Sequence, residues 1–135
     1  MLLIKGLFKK LFGRPPKLGK PRTVTDESFA REVINVEIPV VVDFWSSRCP
    51  PCHVMGGLLN EIGPEYQGRL DILKLNVERN PVSAARYQIR SVPTIIAFNK
   101  GKQVRRIAGL IPIDQLRQLF DRLAGQERIL REKAV

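Results

Sequence analysis

Cys49 and Cys52 are the only two cysteines of this chain, and they stand in the order Cys49-Pro50-Pro51-Cys52 just after the apolar run Val40-Val41-Val42-Asp43-Phe44-Trp45. That order places a cysteine pair where a buried strand turns into a helix. A thiol at a helix N-terminus is acidified by the helix dipole and by free backbone N–H groups. Two intervening residues put the second sulfur one turn further on, within bonding reach of the first. The pair therefore reads as a reversible dithiol/disulfide rather than a structural crosslink. Asp43 is the second chemical feature. A carboxylate inside an apolar strand, ahead of the cysteines, should have its pKa raised by desolvation. The plainer reading of Asp43 is an edge position wetted by water.

Other chemistries fit the same residues less well. Cys49-Pro50-Pro51-Cys52-His53 matches the C-x-x-C-H signature of c-type haem attachment. Haem attachment needs export and a loop around the cofactor, whereas this motif has a strand-to-helix context. His53 is the only histidine, so two cysteines and one histidine fall one ligand short of a closed zinc site unless a dimer shares it. The expectation is therefore no cofactor and no metal, with His53 a solvated residue of the helix surface.

The elements that must position these residues follow from the rest of the chain. A length of 135 residues allows one domain with its own core. The formal charge of +10 suggests nucleic acid until it is located. Seven of the 23 basic side chains fall in residues 1–22, which carry no acidic one, and the remainder holds 16 basic and 13 acidic side chains. The domain itself thus gives no reason to invoke DNA or RNA. Residues 2–12 repeat apolar side chains at helical spacing, with Leu3, Leu7 and Leu11 on one stripe and Lys5 and Lys9 beside it. Gly13-Arg14-Pro15-Pro16 ends that segment, and a stiff basic linker runs on to Pro21. A basic amphipathic leader of this type can lie on an anionic membrane surface or dock on a partner; a plain tail, or a helix folded back on the domain, is the alternative. No stretch is apolar for long enough to span a membrane, and no small-residue cleavage site follows the leader. The expectation is a monomeric cytoplasmic protein, with the leader as a candidate contact to the inner membrane face.

From residue 23 strand and helix patterns alternate. Strands are expected at Thr23–Thr25, Val40–Ser46, Leu70–Asn76, Thr94–Phe98 and Val104–Ala108, the last two joined by the turn Asn99-Lys100-Gly101-Lys102. Helices are expected from near Ser28, capped by Thr25 or Asp26, with Phe29, Val33 and Ile34 inward. Others are expected over Pro51–Tyr66 (Val54, Leu58, Leu59 and Ile62 inward), Ala84–Tyr87 and Pro112–Leu123. The order implies an α/β domain over 23–124, a central mixed sheet with helices on both faces, between the leader and linker (1–22) and a charged tail (125–135).

Over residues 23–124 the chain resembles the thioredoxin family. The resemblance is carried by Val41-Val42-Asp43-Phe44-Trp45, the Cys-x-x-Cys pair, Lys74-Leu75-Asn76-Val77, Ile89-Arg90-Ser91-Val92-Pro93-Thr94, Asn99-Lys100-Gly101 and Gly109. It implies the thioredoxin fold and a thiol–disulfide oxidoreductase that reduces protein disulfides. It also implies Cys49 as nucleophile, Cys52 as resolving thiol, and Asp43 with Lys74 as the acid/base pair for Cys52. Prolines suit the first helical turn, and the Cys52 N–H stays free to support a Cys49 thiolate. Trp45, Arg48, Pro51, Val92, Pro93 and Gly109 would line the substrate surface, Pro93 at the family's cis-proline position. The partners implied are disulfide-containing proteins and an electron donor of the thioredoxin-reductase type.

Three positions depart from the family pattern. Arg48 replaces a tryptophan, and a cation there should lower the Cys49 pKa. Pro50 replaces a glycine, and Gly56-Gly57 stands where a helix-kinking proline usually sits. Two rival readings remain beside the reductase: a disulfide oxidase or isomerase, and a tethered binding module of the same fold. The joint presence of Cys49, Cys52, Asp43, Lys74 and Pro93 favours an enzyme, because a pure binder needs none of them together.

Overall fold

The computed structural model describes residues 19–134, with side chains described as far as Gly125, so the helix expected over residues 2–12 lies outside the described residues. Five strands form one sheet in the order β1-β3-β2-β4-β5. They are β1 (Arg22–Thr23), β2 (Val40–Trp45), β3 (Asp71–Asn76), β4 (Thr94–Asn99) and β5 (Lys102–Ala108). β1, β3 and β2 run parallel, while β4 is antiparallel to β2 and β5 to β4. The helices are α1 (Ala30–Ile34), α2 (Pro50–Ile62), α3 (Pro81–Arg86) and α4 (Ile113–Ala134).

β2 is apolar almost throughout because it is paired on both edges and covered on both faces. Its side chains alternate between two apolar layers. Val41 packs with Met55, Leu59 and Ile62 of α2, Leu116 and Phe120 of α4, and Ile95 of β4. Val40, Val42 and Phe44 pack on the other face with Phe29, Val33, Leu73, Ile96 and Phe98. Tyr87 completes that second layer, its ring 5.2 Å from Phe98 and 5.3 Å from Phe29. By the same alternation Asp43 and Trp45 fall on the Val41 side, toward α2.

Several expected boundaries move, each for a local reason. α2 stops at Ile62 and a tight turn, Gly63–Tyr66, replaces its expected last turn; Pro64 lacks the N–H that an α-helix would use there. Within α2 the inward set is Cys52, Met55, Leu59 and Ile62. Val54, expected inside, is 51% exposed because the helix takes the phase that buries Met55. The first helix is only the five-residue α1, with wide turns closed by Asn35 N–H donating to the Ala30 carbonyl at 2.9 Å. Asp26 caps a different helix from the one expected. Its carboxylate accepts from the Val82 and Ser83 N–H groups at 3.2 and 2.8 Å, so it seals the start of α3, which is longer than the turn expected at Ala84–Tyr87. β4 and β5 each gain residues at the hairpin. α4 runs on past Leu123 to Ala134, through residues expected to form a tail.

The β4–β5 hairpin turns on Lys100 and Gly101, at φ 51° and 80°. Two consecutive positive φ values match the right-handed strand twist, which is why Asn/Lys-Gly sequences suit such turns. A Cβ on Gly101 would also lie 2.7 Å from the Ile34 carbonyl oxygen. Arg106 of β5 donates to the Tyr87 and Gln88 carbonyls at 2.6 and 2.7 Å, satisfying acceptors left open at the end of α3. In contrast, Gly57 sits inside α2, where an added Cβ would meet no atom within 4 Å. Opposite effects are therefore expected in urea denaturation: Gly101→Ala should lose about 1–2 kcal/mol of stability, while Gly57→Ala should gain up to about 1 kcal/mol.

Candidate active site

The site forms where the C-terminal end of β2 meets the N-terminus of α2. Pro50 and Pro51 occupy the first helical positions, where a missing N–H costs no hydrogen bond. Cys49 is the N-cap residue in extended backbone, and the Cys52 N–H donates to its Sγ at 3.2 Å. Sulfur thus takes the place that a Ser or Asp oxygen fills in other caps. Cys49 and Cys52 form a disulfide, with Cα atoms 5.2 Å apart. The two sulfurs differ in access: Cys52 is 3% exposed, whereas Cys49 is only partly covered.

The loop before β4 closes the front of the site. The Val92–Pro93 peptide is cis, and the Val92 carbonyl oxygen lies 3.7 Å from Cys49 Sγ. Gly109, at φ 90°, donates its N–H to the Pro93 carbonyl at 2.8 Å, and the Thr94 hydroxyl donates to the Ser91 carbonyl at 2.7 Å. Val92, Pro93 and Gly109 are therefore assembled against Cys49 from segments far apart in the chain. Arg48, just before the pair, and Pro51, between the two cysteines, are both exposed.

Asp43, Lys74 and Trp45 lie behind the disulfide. The parallel register pairs Asp43 with Lys74, and both border a cavity of about 340 Å³ together with Trp45, Cys52, Gly56 and Gly57. Asp43 is 2% exposed on a central strand, which removes the reading of a wetted edge position. Burial raises its pKa from 3.8 to about 7, against the opposing pull of the Lys74 cation. Its Oδ1 has no hydrogen-bond partner among the described residues. Lys74 Nζ stands 5.8 Å from the centre of the Trp45 ring, a cation–π distance.

Two contributors were missed from the sequence. Glu78 accepts from the Ser46 hydroxyl at 2.7 Å and from the Ser47 N–H and hydroxyl at 3.2 Å each, which holds the loop leading into Cys49. Those hydrogen bonds, from Ser46 first, keep the Glu78 carboxyl below its ordinary pKa, with a smaller contribution from Arg48. Glu78 thereby offsets part of the cation expected to act on Cys49. His53 is exposed as expected, but its Nε2 meets the Ser47 carbonyl at 2.9 Å, bracing the same loop from α2. The adjacent serines were the available signal, since short hydroxyls before a helix start commonly tie down loops; their acidic partner, 31 and 32 residues on, carried none.

The raised Asp43 pKa makes a signed prediction. The folded state holds this proton more tightly than the unfolded chain, so the stability it contributes is complete below 3.8 and is lost as pH rises to about 7. Asp43→Asn should abolish that fall and be more stable than the parent above neutral pH by up to about 4 kcal/mol. Urea denaturation of both proteins across this range measures it; parallel curves would refute the shift.

A sequence model of the family described as Thioredoxin matches residues 20–122. Thioredoxin 1 of Nostoc sp. is 37% identical over 99 residues, covering 73% of this chain and 92% of its own length. Thioredoxin of Pyropia yezoensis is 44% identical over 89 residues, 66% of this chain and 83% of that protein. Thioredoxin of Synechocystis sp. is 40% identical over 89 residues, with the same two coverages. With its five-stranded mixed sheet, flanking helices and paired cysteines at a helix start, the chain belongs to the thioredoxin family and is a thiol–disulfide oxidoreductase of the protein-disulfide reductase type.

Proposed function

We propose that Cys49 is the attacking thiol, Cys52 the resolving thiol, and Asp43 with Lys74 the group that exchanges the Cys52 proton. The observation that carries this assignment is the unequal access of the two sulfurs, with Cys52 at 3% exposure and Cys49 partly exposed. A Cys49 thiolate receives the Cys52 N–H and the positive end of α2, and both stabilise the anion. It attacks one sulfur of a substrate disulfide, forms a mixed disulfide and expels the other sulfur as a thiolate. Cys52, deprotonated by Asp43, then attacks Cys49 Sγ, forms the Cys49–Cys52 bond and releases the remaining substrate sulfur. Two electrons pass from the protein dithiol to the substrate disulfide, and a donor of the thioredoxin-reductase type restores the dithiol. The substrate chain lies over Pro51, Arg48, Val92, Pro93 and Gly109, with Trp45 supporting that surface from beneath.

The leader has a place in this reading. The chain enters the domain at Gly19, whose backbone packs against Gly63 and Pro64 just beyond the end of α2. Thirteen helical residues separate that point from Cys49, roughly 20 Å along the helix axis. A cytoplasmic monomer held at a membrane surface by the basic amphipathic residues 2–12 would keep its thiol face turned outward. This seat is the leader's function here; residues 1–22, 23–124 and 125–135 act as anchor and linker, catalytic domain and terminal extension. No described helix is long and apolar enough to cross a membrane.

Cys49→Ser should abolish disulfide reduction, and Cys52→Ser should accumulate mixed disulfides with client proteins, visible by non-reducing electrophoresis and mass spectrometry. A reduction potential near about −270 mV in glutathione equilibration fits the reductase, while one near about −120 to −180 mV would mean an oxidase or isomerase instead. Flotation with anionic liposomes tests the leader: the full chain should float and a chain starting at residue 23 should not, and equal behaviour would sink the membrane seat.

A further inference from the structure

Gly56 and Gly57 are consecutive glycines in the interior of α2, where glycine weakens a helix relative to alanine. A helical glycine is usually explained by a close neighbour or an unusual backbone angle. Neither applies here, since a Cβ at either residue would meet no atom within 4 Å and neither has a positive φ. What the pair does share is a position on the rim of the cavity behind the disulfide, with Gly56 half-buried and Gly57 exposed. Two buried polar atoms belong to other residues of that cavity, Asp43 Oδ1 and Trp45 Nε1, and neither has a hydrogen-bond partner among the described residues. One accepts and the other donates. A space of about 340 Å³ with these two unpaired groups on its wall has the room and the partners that internal water needs.

The geometry points to Gly56 and Gly57 as the solvent doorway of the site, the stretch without side chains in a lining that His53, Asn60 and Lys74 share, through which water carries protons between bulk solvent, Asp43 and Cys52. This inference rests on the reading of Asp43 as the acceptor of the Cys52 proton. In the resolving step Cys52–SH gives its proton to the Asp43 carboxylate. The Cys52 thiolate then displaces the substrate sulfur from Cys49 Sγ, and the departing thiolate takes a proton from solvent. Asp43 is left protonated in an apolar interior, and the Cys49–Val92 contact covers the front. Asp43 must shed any proton it already holds before it can accept from Cys52. Water entering past the glycines therefore carries that proton to bulk ahead of resolution and again afterwards, when the carboxylate is reset. The ionisable groups bordering the same space are Lys74 from β3 and Cys52 and His53 from α2.

The test is stopped-flow reduction of a chromogenic aromatic disulfide by the full-length reduced protein, in which the two aromatic thiolates leave in sequence. The first phase reports attack by Cys49, the second resolution by Cys52. Gly56→Leu, which fills the rim, should leave the first phase unchanged and slow the second about tenfold at neutral pH. Gly56→Ala, which favours the helix and so folds, should slow the second phase less, and both variants should show a larger solvent deuterium isotope effect on it. Wild-type second phases in both glycine variants, with Asp43→Asn slow, would overturn the doorway and leave Asp43 in its role. A wild-type second phase in Asp43→Asn would overturn the underlying reading itself. Equal slowing of both phases in the glycine variants would report a distorted site and also refute the doorway.

Discussion

The central strand β2 is hydrogen-bonded along both edges and covered on both faces, and the other features of the molecule depend on that enclosure. Paired backbone and apolar side chains make it the axis of both core layers. Its alternation then sends Val40, Val42 and Phe44 to one layer and Val41, Asp43 and Trp45 to the other. Val40 to Phe44 of this strand are buried, so a carboxylate placed among them loses most of its solvation. The same strand ends where α2 begins, and this junction delivers Cys49 to a helix N-terminus.

The electrostatics of the site follow from these two placements. Cys49 sits where backbone N–H groups and the helix dipole favour a thiolate, and the Cys52 N–H is aimed at its sulfur. Asp43 Oδ1 has no hydrogen-bond partner among the described residues to offset its burial, and the Lys74 cation only partly opposes the rise in its pKa. One group thus sits where the local dipoles favour an anion, while burial of its neighbour favours the protonated acid. Carrying Asp43 costs stability at neutral pH, which the surrounding core must absorb.

The loops around the disulfide are fixed by polar contacts more than by packing. Glu78 and His53 hold Ser46 and Ser47 from two sides, and Gly109 and Thr94 hold the segment from Ser91 to Pro93. Each restrained segment borders Cys49, so its surroundings are set before a substrate arrives. At the other pole, the close approach of Gly19 to Gly63 and Pro64 fixes where the described chain enters the fold. Chain entry and chemistry are therefore kept at opposite ends of α2.

What the sequence determined by itself was the chemistry and the order of elements. A cysteine pair at this spacing after an apolar strand, with Asp43 inside that strand, shows in local pattern alone because strand burial and helix initiation are local signals. The hairpin at Lys100-Gly101 was legible for the same reason. Element ends and helix phase were not. Val54 and Met55 are both apolar neighbours, and only packing against Val41 and Leu116 decided which would face inward. Asp26 has the chemistry of a helix cap, yet the helix it caps lies more than 50 residues further along, a partnership no local pattern contains. Tertiary structure alone decided the facing of Asp43 and Lys74 across the β2–β3 register and the approach of Val92 to Cys49. It alone decided the grip of Glu78 on the serine loop and the open rim at Gly56-Gly57. These are contacts between segments far apart in the chain, and their geometry exists only once the sheet has set its strand order.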